Sequence, residues 1–215
     1  MKISVLIPTK NEPLINELIN EVHLALQNFE HEIIVIDKSD ITPKIENARL
    51  IVQESDGLGK AVLEGLPYAR GDVIVTMDAD FSHDPKDLPK LIENLSKYDL
   101  VIGSRFVNGG VTEDKSYRKF ISKLFRWLST LILGLNIKDP MSGFSVIKRK
   151  VYDELQLNPL GYKINMEILY KGKKVGFKTK EVPIIFHKRK TGSSKARIKE
   201  GVRTFIFIFK LKLGL

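Results

Sequence analysis

The sequence contains no cysteine. That excludes a disulfide framework and any chemistry carried by a thiolate. Long hydrophobic runs are missing too: no stretch approaches the ~18 consecutive apolar residues of a membrane-spanning helix. The opening segment MKISVLIPTKNE has an apolar run of only about six residues and no small-residue cleavage site, so no signal peptide is expected. The expectation is a soluble or peripheral chain. No internal repeat and no low-complexity linker interrupts it. Fifteen glycines and nine prolines in 215 residues are ordinary, so disorder is not indicated. An apolar content of 43% at this length suits one domain with a substantial core.

Acidic residues are scarce in the second half. Residues 1–100 hold 10 Lys and Arg against 18 Asp and Glu, a balance of −8; residues 101–215 hold 25 against 8, or +17. The whole chain carries +9. Such asymmetry points to a polyanion meeting the second half, whether nucleic acid, anionic lipid or a phosphorylated substrate, or else to a solvated basic surface.

Short apolar runs alternate with helical patterns. ISVLIP, HEIIVIDKS, ARLIVQES, GDVIVTMDAD and YDLVIGSRF read as strands. Leu14, Leu18, Val22 and Leu26 recur at helical spacing, and GLGKAVLEGLPYA opens on glycines and continues as a helix. Asp84 and Pro85 read as an N-cap and first helical position of a helix reaching about Lys97. Farther on, SGFSVIKR and KTKEVPIIF read as strands. Nearly continuous apolar strands between helices predict an α/β fold with a mainly parallel sheet covered on both faces. Ligands of such sheets bind beyond the carboxyl ends of the strands. Pro8 to Glu12, Asp37, Asp78 to Asp80 and Arg105 all fall at such ends and are expected to converge.

The stretch VTMDADFSHDP carries an apolar strand straight into two aspartates. Residues two apart on an extended strand point to one side, so Asp78 and Asp80 repel unless a cation or proton joins them. Their hard oxygens suit Mg²⁺ or Mn²⁺, which also bind substrate phosphates. Ala79 leaves room for a ligand to approach. The alternative is an exposed turn in which Asp80 and Ser82 cap the next helix. Gly57, Gly59 and Lys60 do not have the spacing of a P-loop and read as a tight strand-to-helix turn.

The motifs IPTKNE, IIVIDKS, GLGKA, MDADFSHDP, GSRF, DPMSGF, GYKINMEI and RKTGSSK, in that order, resemble family-two glycosyltransferases of the GT-A fold. Within them they resemble the polyprenyl-phosphate mannosyltransferases of the dolichol-phosphate mannose synthase type. The resemblance spans about residues 3–200, and implies a catalytic domain over 1–200 followed by an apolar, basic segment over 201–215 of a kind suited to a membrane interface. It implies a GT-A, nucleotide-diphospho-sugar transferase fold with Mg²⁺ or Mn²⁺ as cofactor. Pro8, Lys10, Glu12 and Asp37 would cradle the nucleotide; Lys10 stands where the family often has an aromatic, and Lys38 where it continues with a second aspartate. Asp80 would hold the metal, with Asp78 facing ribose or sugar and Ser82 acting weakly or through water. Arg105 would bind phosphate with two parallel hydrogen bonds. Arg189, Ser194 and Lys195 would close over donor diphosphate and acceptor phosphate, with Gly192 supplying freedom, and Glu167 would lie near the acceptor.

The reaction so implied is transfer of mannose from GDP-mannose to dolichyl or another polyprenyl phosphate with inversion, giving a β-linked product. UDP-glucose or another donor is the alternative, as is a non-catalytic basic protein that binds membranes peripherally. The helical stretch from Tyr117 to Leu135 sets Phe120, Leu124, Trp127, Leu128 and Leu131 on one face, flanked by Lys119, Lys123 and Arg126. It suits either a membrane interface or a core helix. The implied partners are a nucleotide sugar, a lipid phosphate, the membrane surface at its cytoplasmic face and a membrane-anchoring protein, with no nucleic acid.

Overall fold

The computed structural model describes residues 1–113, 126–189 and 198–214. Its strands are β1 (Ile3–Thr9), β2 (His31–Asp37), β3 (Arg49–Val52), β4 (Val73–Thr76), β5 (Leu100–Ser104), β6 (Val111–Thr112), β7 (Ser145–Lys148), β8 (Thr179–Pro183) and β9 (Ile185–Phe186). Its helices are α1 (Ile15–Ala25), α2 (Leu58–Gly65), α3 (Leu88–Glu93), α4 (126–133), α5 (Arg149–Glu154), α6 (Ile164–Val175) and α7 (Ile198–Leu213). Seven strands form one sheet in the order β3-β2-β1-β4-β7-β5-β8; β6 and β9 form a separate pair. The chain builds outward from β1 through β2 to β3, then crosses to the other side of β1 for β4. That reversal is the switch point at which open α/β sheets bind ligands.

Side-chain alternation along β1 explains the two covered faces. Ile3, Val5 and Ile7 pack in one cluster with Leu18, Val22 and Leu26 of α1 and Leu88 and Leu91 of α3. Leu6 turns the other way, into a cluster with Ala61 and Val62 of α2, Ile168 of α6 and Phe207, Ile208 and Leu211 of α7. Strands β1 and β4 are nearly continuous apolar runs because helices cover both faces. The boundary at residue 200 falls inside α7, whose buried side chains join the core.

Two local differences from the sequence reading have plain causes. The helix expected after Asp84 is broken into a 3₁₀ turn (Pro85–Asp87), α3 and a second 3₁₀ turn (Asn94–Ser96). Pro89 lacks the amide donor that a continuous α-helix would use to bond the carbonyl of residue 85, and its ring crowds that carbonyl. The cap itself is present: Asp84 Oδ1 accepts the Lys86 amide at 2.9 Å. Second, β7 runs antiparallel to both of its neighbours, β4 and β5. Its first residue, Ser145, therefore lies beside Thr76 and Ile102, toward the carboxyl ends of β4 and β5. The reversed strand delivers the preceding loop, DPMSGF, to the ligand edge.

At the opposite edge, Asp99 gathers Lys150 Nζ at 2.8 Å, Lys148 Nζ at 3.2 Å and the Lys178 amide at 3.1 Å. Burial alone would raise its pKa, but these donors outweigh it and hold the carboxyl down to about 2. A depressed carboxylate stabilises the fold above its ordinary pKa and loses that contribution as the pH falls toward the folded value. After allowance for solvent screening, Asp99→Asn is expected to cost ~1–2 kcal/mol at neutral pH. The gap from the wild type should close between about pH 4 and pH 2, as followed by thermal melts. A pH-independent gap would show that Asp99 acts through packing.

Candidate active site

Four strand ends shape the site. Thr9 of β1 is in register with Asp37 of β2, placing Pro8, Lys10, Glu12 and Asp37 along one rim. Asp37 is 1% exposed; its Oδ1 accepts the Ser39 hydroxyl at 2.5 Å and its Oδ2 the Ser39 amide at 3.1 Å. It thus closes the turn after β2. Lys38 reaches back to the Glu54 and Ser55 carbonyls at 2.7 and 3.0 Å, pinning the β3–α2 loop to the same rim. Glu12 accepts the Leu14 amide at 3.4 Å, and Lys10 is exposed. Gly57, at φ +103°, turns the chain into α2 in a conformation that side chains rarely adopt.

The aspartate turn follows β4. Asp80 Oδ1 accepts both the amide and the hydroxyl of Ser82, at 3.0 and 2.5 Å, while its Oδ2 meets Arg189 Nε at 2.9 Å. Ser82 is fully buried, so its hydroxyl is spent on orienting Asp80. Asp84, and not the Asp80–Ser82 pair, caps the next helix. Ala79 turns into the core cluster with 7% exposure, because alternation sends it to the α1 and α3 face; its small side chain serves packing. Burial raises the pKa of Asp78, against the opposing pull of Arg189 and Arg105.

Arg105 lies beyond β5. Its Nε and Nη2 each donate to Asp139 at 2.8 Å, one to either carboxylate oxygen, and its amide bonds Asp139 Oδ2 at 3.1 Å. The edge expected to clasp a phosphate therefore clasps Asp139. Asp139 is 1% exposed and is itself held by Glu181, whose carboxylate accepts the Lys138 and Asp139 amides at 2.7 and 2.8 Å. Asp139, Glu181 and the position of His83 were not read from the sequence. The signal available for Asp139 was a lone acidic residue opening the DPMSGF motif.

His83 lies beneath the aspartate turn with 1% exposure. Its ring stacks on Phe144 at 4.9 Å and meets the edge of Phe186 at 5.4 Å. Burial, aided by Arg105 and Arg189 against Asp80 and Asp139, pushes its pKa down to about 3. Gly143 permits this packing: a methyl there would lie 3.0 Å from Asp78 Oδ1 and 3.3 Å from the His83 ring.

The structure thus brings Asp78, Asp80, Ser82, Arg105 and Arg189 together. Glu167 is 1% exposed, and its Oε1 accepts the Asn158 amide at 2.9 Å and Lys171 Nζ at 2.6 Å, bracing the loop before α6. Ser194, Lys195 and Gly192, with Lys119, Phe120, Lys123 and Leu124, lie outside the described residues. Of the remaining positions on that helical face, Trp127 and Leu131 are exposed at 58% and 63%, while Arg126 stacks 3.8 Å over the Phe106 ring.

Among the described residues no group of three or more His, Cys, Asp or Glu gathers to hold a metal. Two carboxylates are nonetheless a fitting set for Mg²⁺ or Mn²⁺, which take one or two protein oxygens when substrate phosphates supply others. Asp80 Oδ2 already faces a cation, the Arg189 guanidinium. The donor set fits an ion that arrives with its phosphates and takes over that place.

A mainly parallel sheet with one reversed strand, carrying paired aspartates at its carboxyl edge, is the architecture of the GT-A fold. The chain belongs to glycosyltransferase family 2, whose model matches residues 4–156. It is 40% identical over 226 residues to the dolichol-phosphate mannosyltransferase of Pyrococcus furiosus, covering 98% of this chain and 64% of that one. It therefore spans less than two thirds of that relative's length. It is 33% identical to the undecaprenyl-phosphate mannosyltransferase of Micrococcus luteus, covering 91% and 87%. In fold it resembles glucosyl-3-phosphoglycerate synthase from Mycobacterium tuberculosis, solved with Mn²⁺, UDP and phosphoglyceric acid. The TM-score is 0.77 at 21% identity, over 100% of this chain and 79% of that one.

Proposed function

We propose that the chain is an inverting transferase that moves mannose from GDP-mannose to dolichyl or another polyprenyl phosphate. The observation that carries this reading is the Asp80–Arg189 contact. It brings a cation of the late basic loop against one of the paired aspartates at the switch-point edge of the sheet, which supports a seat there for a metal–diphosphate. The mannosyl-transferring relatives support the sugar and the lipid acceptor.

In this reading Ser82 holds Asp80 in place, and Asp80 with Asp78 seats a divalent ion on the donor diphosphate. When bound, that ion supplies positive charge for the leaving diphosphate. Arg189, once released from Asp80, is available to the same phosphates, and Lys195 and Ser194 are proposed to close over them. Pro8, Lys10, Glu12 and Asp37 flank the nucleoside. Arg105, fixed by Asp139, contributes the positive charge of its guanidinium beside the phosphates. The acceptor phosphate monoester has a second pKa near 6 and is mostly dianionic at neutral pH, hence already a nucleophile. A hydroxyl acceptor would need a general base. His83 does not provide one, because its Nδ1 already accepts a backbone amide and its ring resists protonation.

Membrane proximity follows from the acceptor. No helix among the described residues is long and apolar enough to cross a membrane. Exposed Trp127 and Leu131 of α4, and Phe205, Ile206, Phe209 and Leu213 of α7 beside Lys210 and Lys212, suit an interfacial placement at the cytoplasmic face. A membrane-anchoring partner is part of the same proposal.

The test is direct. Purified chain is incubated with Mg²⁺ or Mn²⁺, a polyprenyl phosphate and a panel of radiolabelled nucleotide sugars. Lipid-linked mannose from GDP-mannose is the expected product. Product from UDP-glucose alone would replace both base and sugar in this reading, and no lipid-linked product from any donor would sink it.

A further inference from the structure

His83 does more than fill space. The chain leaves β4, passes Asp78 and Asp80, and reverses at Phe81, a non-glycine residue at φ +60°. Ser82 then accepts the His187 amide at 3.0 Å, tying the reversed segment to the chain just beyond β9. Underneath, His83 Nδ1 accepts the Asp78 amide at 3.1 Å, so one imidazole joins the two ends of the turn that carries both aspartates. Accepting at Nδ1 sets the proton of the neutral ring on Nε2. The ring cannot pivot away, because Phe144 stacks on it and Phe186 meets it edge-on. Asp78 Oδ2 lies 4.0 Å from the same nitrogen, and Gly143 closes the other side of that carboxylate.

We infer that His83 is a positioning residue: its Nδ1, held rigid between Phe144 and Phe186, fixes the Asp78 peptide and through it the direction of the Asp78 carboxylate. An uncharged acceptor is what this place requires. A carboxylate there would repel Asp78 and Asp80, and a cation would draw Asp78 inward, away from a ligand. An apolar residue would leave the Asp78 amide without this partner. The inference rests on the proposed role of the aspartates in seating a metal–diphosphate, but the hydrogen bond can be tested apart from it.

The side chain of asparagine can set an acceptor oxygen where Nδ1 lies; that of glutamine reaches about one bond farther, toward Nε2. Full-length wild type, His83→Asn, His83→Gln and His83→Ala would be compared in three measurements. These are exchange of the Asp78 amide proton by NMR, affinity for GDP and for UDP in Mn²⁺ by calorimetry, and the thermal midpoint. Loss of one buried hydrogen bond should speed Asp78 exchange by roughly tenfold in His83→Ala and His83→Gln, with His83→Asn within about threefold of wild type. Misdirection of the carboxylate should weaken Mn²⁺-dependent nucleotide binding by roughly tenfold or more in the same two variants, again with recovery in His83→Asn. If His83→Ala does not fold, the contrast between His83→Asn and His83→Gln decides. Equal exchange in Asn and Gln variants, or nucleotide affinities that follow the thermal midpoint alone, would overturn the inference. Wild type that binds neither nucleotide overturns the metal–diphosphate reading instead, and the exchange contrast then still judges the Asp78–His83 bond.

Discussion

Asp80→Ala is expected to lower sugar transfer by at least roughly a thousandfold while leaving the thermal midpoint within a few degrees of wild type. The size follows from the placement. Asp80 Oδ2 is the carboxylate oxygen turned to the cationic side of the site, and two donors of Ser82 hold the opposite oxygen. Removing it deletes the seat for the charge that offsets the leaving diphosphate. The small effect on stability follows from its surroundings: the core beneath the turn is filled by Ala79, Met77 and Phe144, which the substitution does not touch. Steady-state transfer and thermal melts check the two halves together. Transfer at the wild-type rate would remove Asp80 from the chemistry. A large loss of stability would make the activity result uninformative about metal, and Asp80→Asn would then take its place.

Asp139→Ala is the second large effect, and it is mainly on stability. The Arg105–Asp139 pair is bidentate, with Asp139 1% exposed and the Arg105 side chain 14% exposed. Breaking a buried pair from one side leaves an uncompensated charge, at about 3–5 kcal/mol. In a chain of this size that corresponds to a fall of roughly 6–20 °C in the thermal midpoint. The double variant Arg105→Met with Asp139→Leu removes both charges and is expected to regain most of the loss, since apolar replacements of similar volume often match buried ion pairs. Transfer should not recover with it, because the positive charge of Arg105 is gone. A double variant that is stable and fully active would leave Arg105 with a structural role alone.

Much of the sheet was legible because strand formation here is a local matter. The runs around Ile3–Thr9, His31–Asp37, Val73–Thr76 and Leu100–Ser104 are apolar on both faces, which only a covered sheet satisfies. The Asp84–Pro85 cap was likewise local and was read correctly. That Asp37, Asp78, Asp80 and Arg105 stand at strand ends followed from the same runs, and the family followed from the order of short motifs. The course of the helix after Asp84 was less legible, since Pro89 interrupts a pattern whose apolar spacing alone continues.

What each side chain does at the edge was another matter. Nothing in SGFSVIKR gives its direction, and only pairing with β4 and β5 on either side makes β7 antiparallel and brings DPMSGF beside Asp78. Arg105 read as a phosphate clasp because its partner, Asp139, stands 34 residues away. The partners of Glu167, the Asn158 amide and Lys171, and its burial are likewise set by tertiary packing. His83 belongs to no local pattern along the chain, and only the fold closes Phe144 and Phe186 over it. By itself, then, the sequence determined which segments are strands, that acidic and basic residues meet at their ends, and which family the chain belongs to, since these depend on neighbours along the chain. Only the tertiary structure decided which charges neutralise each other and which remain for a ligand. Hydrogen bonds and ion pairs are short-ranged, and their partners come from strands and loops that adjoin only after the chain has folded.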